Sequence, residues 1–396
     1  MFKNTPAMGW NTWNTFTNEI NEKLIIESCD ALIKLGLDKL GYEYIVIDDC
    51  WSEKQRDKDG NLVYNKEKFP HGMKYISDYI HSKGLKFGMY SCAGAVTCEQ
   101  HPASYNHEFN DAKTFASWGV DYLKYDYCFR SNIVSGEQLY KRMGLALANS
   151  GRDILFSACT GGLDYSRVWL KEVNAHSFRS TNDIKDNWTF IKTIANQELT
   201  KMEYNGQGCF NDLDMLVVGM NGKGNCSLGG CTLNEYYTYF AFWCFFGSPL
   251  MIGCDLRNID EQSLKILKNK NLIRINQDKK YNMPFFLGRK MEKNKKLSAE
   301  NDNFYDSYPT EIVMLAKYLD DGKIAVGCFN FGEGTTNVWN ASFLTEDLGI
   351  TPNCNLKIKM TDCETGEVLY SNNDMVVISG VSPHSSRVFI AEVVSE

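Results

Sequence analysis

Short apolar segments recur along the chain as far as about residue 290, and many of them end on polar or charged residues. Their length and their content of aromatic and β-branched residues are typical of buried strands. The eight segments are MGWNTW near Met8, YEYIVIDDCW near Tyr42, GLKFGMYSC near Leu85, VDYLKYDYC near Val120, RDILFSAC near Ile154, AHSFRSTND near Ala175, CFNDLDMLVVG near Cys209 and SPLMIGCDLR near Ser248.

Helical patterns lie between several of these segments. In NEKLIIESCDALIKLGL the apolar residues follow the spacing of one helix face and end before Gly36. GMKYISDYIHSKGL and DAKTFASWGV behave alike, with Gly84 and Gly119 as C-terminal stops. Alternating strands and helices predict an α/β fold with a parallel sheet, and eight such units within roughly 260–290 residues predict a TIM (β/α)8 barrel. A doubly wound sheet is the alternative, but no G-x-G-x-x-G turn follows the first strand.

The pattern changes after about residue 290. A polar connection, NKKLSAENDNFYDSY, precedes short segments in which apolar and polar residues alternate, with turn signals such as DDGK and SNND. These segments are EIVMLAKYL, GKIAVGCFNFG, NVWNASF, NLKIKMTDC, GEVLYS, DMVVISGV and SSRVFIAEVV. We therefore expect a catalytic barrel over residues 1–292 and an antiparallel β-sandwich over residues 293–396.

One predicted strand, VDYLKYDYC, directs a cation and a carboxylate to the same side. Lys124 and Asp126 lie two residues apart, and such side chains share a face of a strand. In a TIM barrel the active site lies at the carboxyl ends of the strands. Other aspartates at or just beyond predicted strand ends are Asp48, Asp49, Asp183, Asp212 and Asp214. These residues therefore predict the rim of a pocket.

The pair of Lys124 and Asp126 has two interpretations. It can be a salt bridge at the rim, or Asp126 can be a nucleophile that the neighbouring cation keeps ionised. Two carboxylates that face one bond from different strands are the apparatus of glycoside hydrolysis. Spacing alone does not choose the second carboxylate among the other aspartates.

Composition and charge disfavour several classes of partner. The net charge of −7 and the lack of a basic run argue against nucleic acid. No segment reaches the ~18 apolar residues of a membrane-spanning helix, and the N-terminus lacks a signal-peptide pattern. We expect a cytoplasmic protein without a membrane partner, unless a leader was removed.

The cysteines and histidines do not indicate a metal or another cofactor. The 14 cysteines contain no C-x-x-C pair, and the six histidines show no H-x-H or H-E-x-x-H spacing. Two other classes of function stay open: a metal-dependent barrel hydrolase, which a chelator would inactivate, and a carbohydrate-binding protein without turnover.

Eight motifs in order resemble the α-galactosidase family, glycoside hydrolase family 27, also called the melibiase family. They are AMGWNTWNTF, YIVIDDCW, SCAGAVTC, ASWGVDYLKYDYC, FRSTNDI, FNDLDMLVVG, SPLMIGCDLRNI and IRINQD. The resemblance implies a retaining mechanism on terminal α-linked D-galactose. It implies that Asp126 is the nucleophile and that Asp183, four residues after Arg179, is the acid/base. Asp183 could also be a helix N-cap.

The resemblance also implies how the sugar is bound. Asp48 and Asp49 are expected to accept hydrogen bonds from the 4- and 6-hydroxyls, and Lys124 to bind the 3- or 4-hydroxyl. Trp13 is expected to present its apolar face, and Tyr90 to line the pocket floor.

Other family positions have a less definite role. Asp214 and Met215 match a site motif whose role is either structural or in sugar contact. Cys98 and Cys128 match a pair that is bridged in secreted relatives, and in a reducing compartment they would be thiols near the pocket. Barrel-plus-sandwich hydrolases of this type often associate, so a homo-oligomer is expected as a partner state.

The segment SACTGGLDYSRVW departs from the family pattern. Thr160 and Gly161 stand where family α-galactosidases carry a Glu and a Trp that help to recognise the sugar 2-position. A small Thr160 could admit a 2-acetamido group, as in α-N-acetylgalactosaminidases, or Asp164, Arg167 or Trp169 could close the gap. Arg179 is expected to touch the 2-substituent in either case. A β-L-arabinopyranosidase is a further alternative, which the presence of both Asp48 and Asp49 disfavours.

Overall fold

A computed structural model describes residues 4–291, 310–333, 338–351, 356–372 and 374–395. The chain divides into two units, each with its own dense internal contacts. The first unit comprises Met1–Asn187, Gly208–Gly230 and Pro249–Asp260, and the second comprises Trp188–Gln207, Cys231–Ser248 and Glu261–Glu396.

Eight parallel strands form the sheet of the first unit. They are β1 (Met8–Asn11), β2 (Tyr44–Val46), β3 (Lys86–Cys92), β4 (Tyr122–Asp126), β5 (Leu155–Cys159), β6 (Ser177–Arg179), β7 (Phe210–Asp212) and β8 (Leu250–Ile252). Strands β1 to β7 pair in sequence, and β1 also pairs with β8. A parallel bridge between Leu216 and Ile252 closes the ring. The predicted barrel is confirmed.

Along strand β4, the residues that face the barrel interior change from apolar to charged. Tyr122 lies in an apolar cluster with residues of the neighbouring strands, including Tyr44 and Leu155. Lys124 and Asp126 follow on the same face because they are two and four residues further along the strand. The apolar layer thus supports the polar residues at the carboxyl end of the barrel.

The described part of the first unit has five α-helices. They are α1 (Trp13–Phe16), α2 (Glu22–Lys34), α3 (Gly72–Ser82), α4 (Glu108–Ser117) and α5 (Gly136–Ala148). The sequence predicted α2, α3 and α4. The Asn21 side chain caps α2 by accepting a hydrogen bond from the backbone N–H of Leu24. The predicted stops at Gly36, Gly84 and Gly119 all have a positive φ, which glycine adopts without steric cost.

The second unit combines four helices with antiparallel strands. The helices are α6 (Trp188–Glu198), α7 (Leu233–Phe246), α8 (Glu261–Leu267) and α9 (Lys270–Asn276). The strands are β9 (Phe285–Met291), β10 (Thr310–Tyr318), β11 (Ile324–Asn330), β12 (Trp339–Leu344), β13 (Leu356–Asp362), β14 (Val368–Tyr370), β15 (Met375–Val381) and β16 (Ser385–Ser395). A six-stranded sheet of order β14-β13-β16-β11-β10-β9 and the β12–β15 pair enclose one apolar core, so the predicted sandwich is confirmed.

The predicted domain boundary after residue 292 needs a correction. Strand β9 lies before that boundary, yet it pairs with β10 in the antiparallel sheet. The helices α6 to α9 also belong to the second unit. Sequence patterns assigned these elements to the barrel by their position along the chain, whereas packing partners define the unit. Among the described residues, no helix combines the length and the apolar character needed to cross a membrane.

Candidate active site

A cavity lies at the carboxyl ends of the barrel strands. The residues predicted for catalysis and substrate binding all line it except Cys128 and Thr160, and Asp212, which was predicted for the rim, does not line it either. The lining residues are Trp13, Asn14, Asp48, Asp49, Tyr90, Cys98, Lys124, Asp126, Arg179, Asp183, Ile184, Lys185, Asp214, Met215 and Cys226.

Asp126 lies at the end of β4 and is held by hydrogen bonds to both carboxyl oxygens. The hydroxyl of Tyr90 donates to Oδ2 at 3.1 Å, and the backbone N–H of Tyr127 donates to Oδ1 at 2.8 Å. Burial raises the pKa of Asp126, while the charges of Lys124 and Arg179 act in the opposite direction. The result is a fixed carboxyl group surrounded by cations.

Asp48 connects β2 to β4 through a buried ion pair. The Lys124 Nζ donates to its Oδ2 at 2.8 Å, and the Asn11 Nδ2 donates to the same oxygen at 2.7 Å. Asn11 is a positioning residue that sequence reasoning missed. Its place at the end of β1, just before Trp13, was the available signal.

Asp49 is held by backbone donors. The N–H of Cys50 donates to Oδ1 at 2.7 Å, and the N–H of Glu99 donates to Oδ2 at 3.1 Å. Burial, with a smaller contribution from the charge of Asp48, raises the pKa of Asp49 to about 6, although these hydrogen bonds lower it. Asp49 therefore titrates in a range where enzymes are commonly assayed.

Arg179, at the end of β6, joins two carboxylates. It donates a hydrogen bond to Asp183, and its Nη1 lies 3.5 Å from Oδ2 of Asp214. The positive charge of Arg179 holds the pKa of Asp183 below its usual value. The Asp183 side chain is 68% exposed, so water reaches this carboxyl group.

Asp214 fixes the loop that carries Asp183. Its Oδ2 accepts a hydrogen bond from the backbone N–H of Ile184 at 2.7 Å, and its Oδ1 accepts one from Met215 N–H at 2.7 Å. Its φ of 77° is unusual for a non-glycine residue. Asp214 thus has a structural role and also borders the cavity.

Cys98 and Cys128 form a disulfide, with Cα atoms 5.3 Å apart. The Cys98 sulfur lies 3.4 Å from the Tyr90 hydroxyl and 3.7 Å from Oδ2 of Asp126. Cys128 lies behind Cys98 and does not line the cavity. Both sulfurs and an Asp126 oxygen form the one close group of potential metal ligands within the described ranges, but disulfide sulfurs lack the thiolate charge that binds metals.

Thr160 is buried outside the cavity. Its hydroxyl shares a hydrogen bond with Ser166 and also lies 3.4 Å from the backbone oxygen of Arg179. Asp164 accepts a hydrogen bond from the Tyr127 hydroxyl, and the Trp169 indole donates to the Asp164 backbone oxygen. None of Asp164, Arg167 or Trp169 lines the cavity.

Four further lining residues were not predicted: Asn14, Ile184, Lys185 and Cys226. Asn14 directly follows Trp13, and Lys185 comes two residues after Asp183, so their position in strand-end loops was the available signal. Cys226 lies between β7 and β8, and no sequence pattern there indicated a site residue.

Comparisons with known proteins agree with this geometry. The family model described as Alpha galactosidase A matches residues 5–278. Alpha-galactosidase 3 from Arabidopsis thaliana is 48% identical over 299 residues, which cover 75% of this chain and 64% of that protein. The alpha-galactosidase of Cyamopsis tetragonoloba is 44% identical over 327 residues, with 82% and 72% covered. The structure of the Saccharomyces cerevisiae α-galactosidase with raffinose has a TM-score of 0.85 at 27% identity, with 98% of each chain covered. The chain belongs to glycoside hydrolase family 27, the melibiase family.

Proposed function

We propose that this protein is a retaining exo-α-galactosidase that releases terminal α-linked D-galactose from oligosaccharides or glycoconjugates. The observation that carries the proposal is that Asp126 and Asp183 line one cavity together with Asp48, Asp49 and Lys124. Two carboxyl groups that line one cavity from different strands are the apparatus of glycoside hydrolysis. The names of the curated relatives support galactose as the sugar.

In the first step the Asp126 carboxylate attacks the anomeric carbon, and the bond from that carbon to the leaving oxygen breaks. Asp183 donates its proton to the leaving oxygen, which departs as an alcohol. The galactosyl group is then an ester of Asp126. The hydrogen bonds from Tyr90 and Tyr127 orient the carboxylate for this attack.

In the second step water attacks the anomeric carbon and displaces Asp126. Asp183, now a carboxylate, takes a proton from this water. Galactose leaves with its α configuration retained, and both aspartates return to their starting states. The exposure of the Asp183 side chain suits this step, because the nucleophilic water must reach it.

The pKa shifts of the two aspartates are opposite to those that the first step requires. Burial raises the pKa of Asp126, and Arg179 lowers the pKa of Asp183. We infer that the substrate reverses this order. A 2-hydroxyl that accepts a hydrogen bond from Arg179 weakens the contact of Arg179 with Asp183, and the pKa of Asp183 then rises.

The remaining polar residues bind the sugar in this proposal. The carboxylates of Asp48 and Asp49 accept hydrogen bonds from the 4- and 6-hydroxyls, which favours galactose with its axial 4-hydroxyl. Lys124 donates to the 3- or 4-hydroxyl, and its ion pair with Asp48 holds both groups in place. Trp13 covers the apolar face of the ring.

A second candidate is an α-N-acetylgalactosaminidase. The observation that favours it is that Thr160 is small and withdrawn from the cavity, and that no neighbouring side chain of residues 161–169 replaces it on the cavity wall. A third candidate is a β-L-arabinopyranosidase. Its substrate lacks the 6-hydroxymethyl group, so this enzyme would differ from an α-galactosidase in making no contact with that group.

The deciding experiment compares kcat/KM for the p-nitrophenyl glycosides of α-galactose, α-N-acetylgalactosamine and β-L-arabinopyranose in one buffer. We expect the α-galactoside to exceed both others by more than tenfold, which is about 1.4 kcal/mol of transition-state binding. A preference for the acetamido sugar would assign the enzyme to the second candidate. No turnover of any of the three would mean that the family resemblance extends to the fold but not to the substrate.

A further inference from the structure

The two backbone N–H groups that hold Asp49 belong to residues whose carbonyl oxygens each bind a lysine. Cys50 and Glu99 donate these N–H groups to the two carboxyl oxygens of Asp49. The carbonyl oxygen of Cys50 accepts a hydrogen bond from Lys68 Nζ at 3.0 Å. The carbonyl oxygen of Glu99 accepts one from Lys54 Nζ at 2.8 Å. Both residues that orient Asp49 are thus held from their acceptor side by an ammonium group.

The ammonium group of Lys68 has an acceptor for each of its three protons. Besides Cys50, it binds Asn18, whose backbone oxygen accepts at 2.8 Å and whose side-chain oxygen also accepts. All three acceptors are neutral oxygens, and burial lowers the pKa of Lys68. A partly buried cation whose acceptors are all neutral loses hydration without forming an ion pair. Solubility alone therefore does not account for this lysine.

The backbone of Cys50 needs such support. Its φ of 70° lies in the left-handed region, which residues other than glycine rarely adopt unless the surrounding structure fixes them there. The hydrogen bond from Lys68 fixes the carbonyl side of this residue, and the bond to Asp49 fixes its N–H side. If the carbonyl were released, the backbone could relax and the N–H would lose its direction towards Asp49.

Neither lysine reaches the substrate directly. Lys54 and Lys68 border a second cavity together with Cys50 and Glu99, and they do not line the cavity that contains Asp126. Any influence of these lysines on catalysis therefore passes through the backbone of Cys50 and Glu99, or through charge.

We propose that Lys68 and Lys54 are positioning residues that hold Asp49 in the orientation in which it binds a hydroxyl of the sugar. This inference rests on the proposed function, in which Asp49 accepts a hydrogen bond from the 4- or 6-hydroxyl. A hydrogen bond weakens steeply when its angle departs from the favoured range, so a rotated carboxylate binds the sugar poorly. The negative charge of Asp49 also acts against the fall that burial causes in the pKa of Lys68, so attraction between the two charges adds to the backbone contacts.

A double-mutant cycle tests this role. We would measure kcat and KM for p-nitrophenyl α-galactoside with Lys68→Met in the wild-type background and in the Asp49→Ala background. We expect Lys68→Met alone to lower kcat/KM about tenfold. The loss should appear mainly in KM, because the sugar hydroxyl binds Asp49 in the ground state as well as in the transition state. In the Asp49→Ala background the same substitution should change kcat/KM by less than about twofold, because the group that it positions is gone.

Two results would overturn the positioning role. An equal fall in both backgrounds would mean that Lys68 supports the fold of the loop in general and does not act through Asp49. An unchanged kcat/KM in the wild-type background would mean that its contact with Cys50 has no effect on the site.

Two further variants keep the test independent of folding. Lys54→Met changes an exposed residue, and its effect should also disappear in the Asp49→Ala background. Lys66→Met, two residues before Lys68, changes an exposed lysine that lines neither cavity, and it should leave kcat/KM unchanged. Wild type without activity would defeat the proposed function itself, whereas an active wild type with equal falls in both backgrounds defeats only the positioning role.

Discussion

Arg179 donates a hydrogen bond to Asp183, the residue four positions later, and so places a positive charge next to the carboxyl group of the proposed acid/base. The carboxylate form of Asp183 is favoured as long as this contact persists. The same arginine lies 3.5 Å from Asp214, which holds the backbone beside Asp183. The charge state and the position of the acid/base therefore depend on one guanidinium group.

Replacing Arg179 should shift the pH dependence of catalysis. Arg179→Gln removes the charge that lowers the pKa of Asp183, so this pKa rises and the acid form persists to higher pH. We expect the alkaline limb of the kcat/KM profile to move to higher pH, together with lower activity from the lost contact with the substrate. A downward shift, or an unchanged limb, would contradict the role of Asp183 as the acid.

Removal of the nucleophile should abolish turnover. We expect Asp126→Ala to lower kcat by roughly 10⁴-fold or more, because no ester can form. Small nucleophiles such as azide should restore part of the activity by entering the vacated space, and the product should then have the inverted β configuration. Substantial activity of the variant without azide would defeat the mechanism.

Binding of the sugar should weaken in mild acid because of Asp49. Its carboxylate accepts hydrogen bonds, and the pKa of about 6 means that it becomes protonated as the pH falls below that value. We expect the affinity for free galactose, measured by calorimetry, to fall about tenfold between pH 7 and pH 5. The isosteric Asp49→Asn variant is the control, since it should bind more weakly at pH 7 and lose this titration. The same pH dependence in the variant would assign it to another group.

Asp212 should make the protein less stable as the pH rises. Burial, and next the charge of Asp214, raises the pKa of Asp212 to about 7. The folded state therefore holds a proton that the unfolded state releases near pH 4, and stability falls between pH 4 and pH 7. Asp212→Asn keeps an oxygen for the N–H of Asp214. We expect the variant to exceed wild type by about 1–2 kcal/mol at pH 8, allowing for partial solvent exposure.

Urea unfolding at pH 4.5 and pH 8 measures this difference. The gain should largely disappear at pH 4.5, where Asp212 is protonated in most folded molecules and the cost of its charge is absent. A variant that is equally stabilised at both pH values, or is less stable than wild type at pH 8, would contradict the raised pKa.

The disulfide should contribute to stability as well as to the shape of the site. Cys98 and Cys128 lie 30 residues apart in sequence, and closing a loop of that length stabilises a fold by about 3 kcal/mol. We expect a reductant to lower the stability of wild type by this order. In the double variant with alanine at both positions, the reductant should have no further effect. Equal responses of the two proteins would show that the bridge contributes nothing.

The order of elements could be predicted from the sequence because it depends on local patterns. Buried parallel strands need continuous apolar runs, and their helices need one apolar face, so periodicity located all eight barrel strands and the glycine stops. Strand β9 was missed because it is an edge strand, and its pairing with β10 depends on packing and not on a local sequence pattern. The intervening residues 292–309 lie outside the described part of the chain.

The sequence by itself determined the barrel, the sandwich and the ring of aspartates, since two-residue spacing fixes which face Lys124 and Asp126 share. Only the tertiary structure decided which distant groups meet. Closing the barrel brings Asn14 against Cys226, buries Thr160 outside the cavity and places Arg179 within 3.5 Å of Asp214. Burial then sets the pKa values of Asp49 and Asp212. Charge and hydrogen bonding depend on distance in space, and no local pattern of residues encodes that distance.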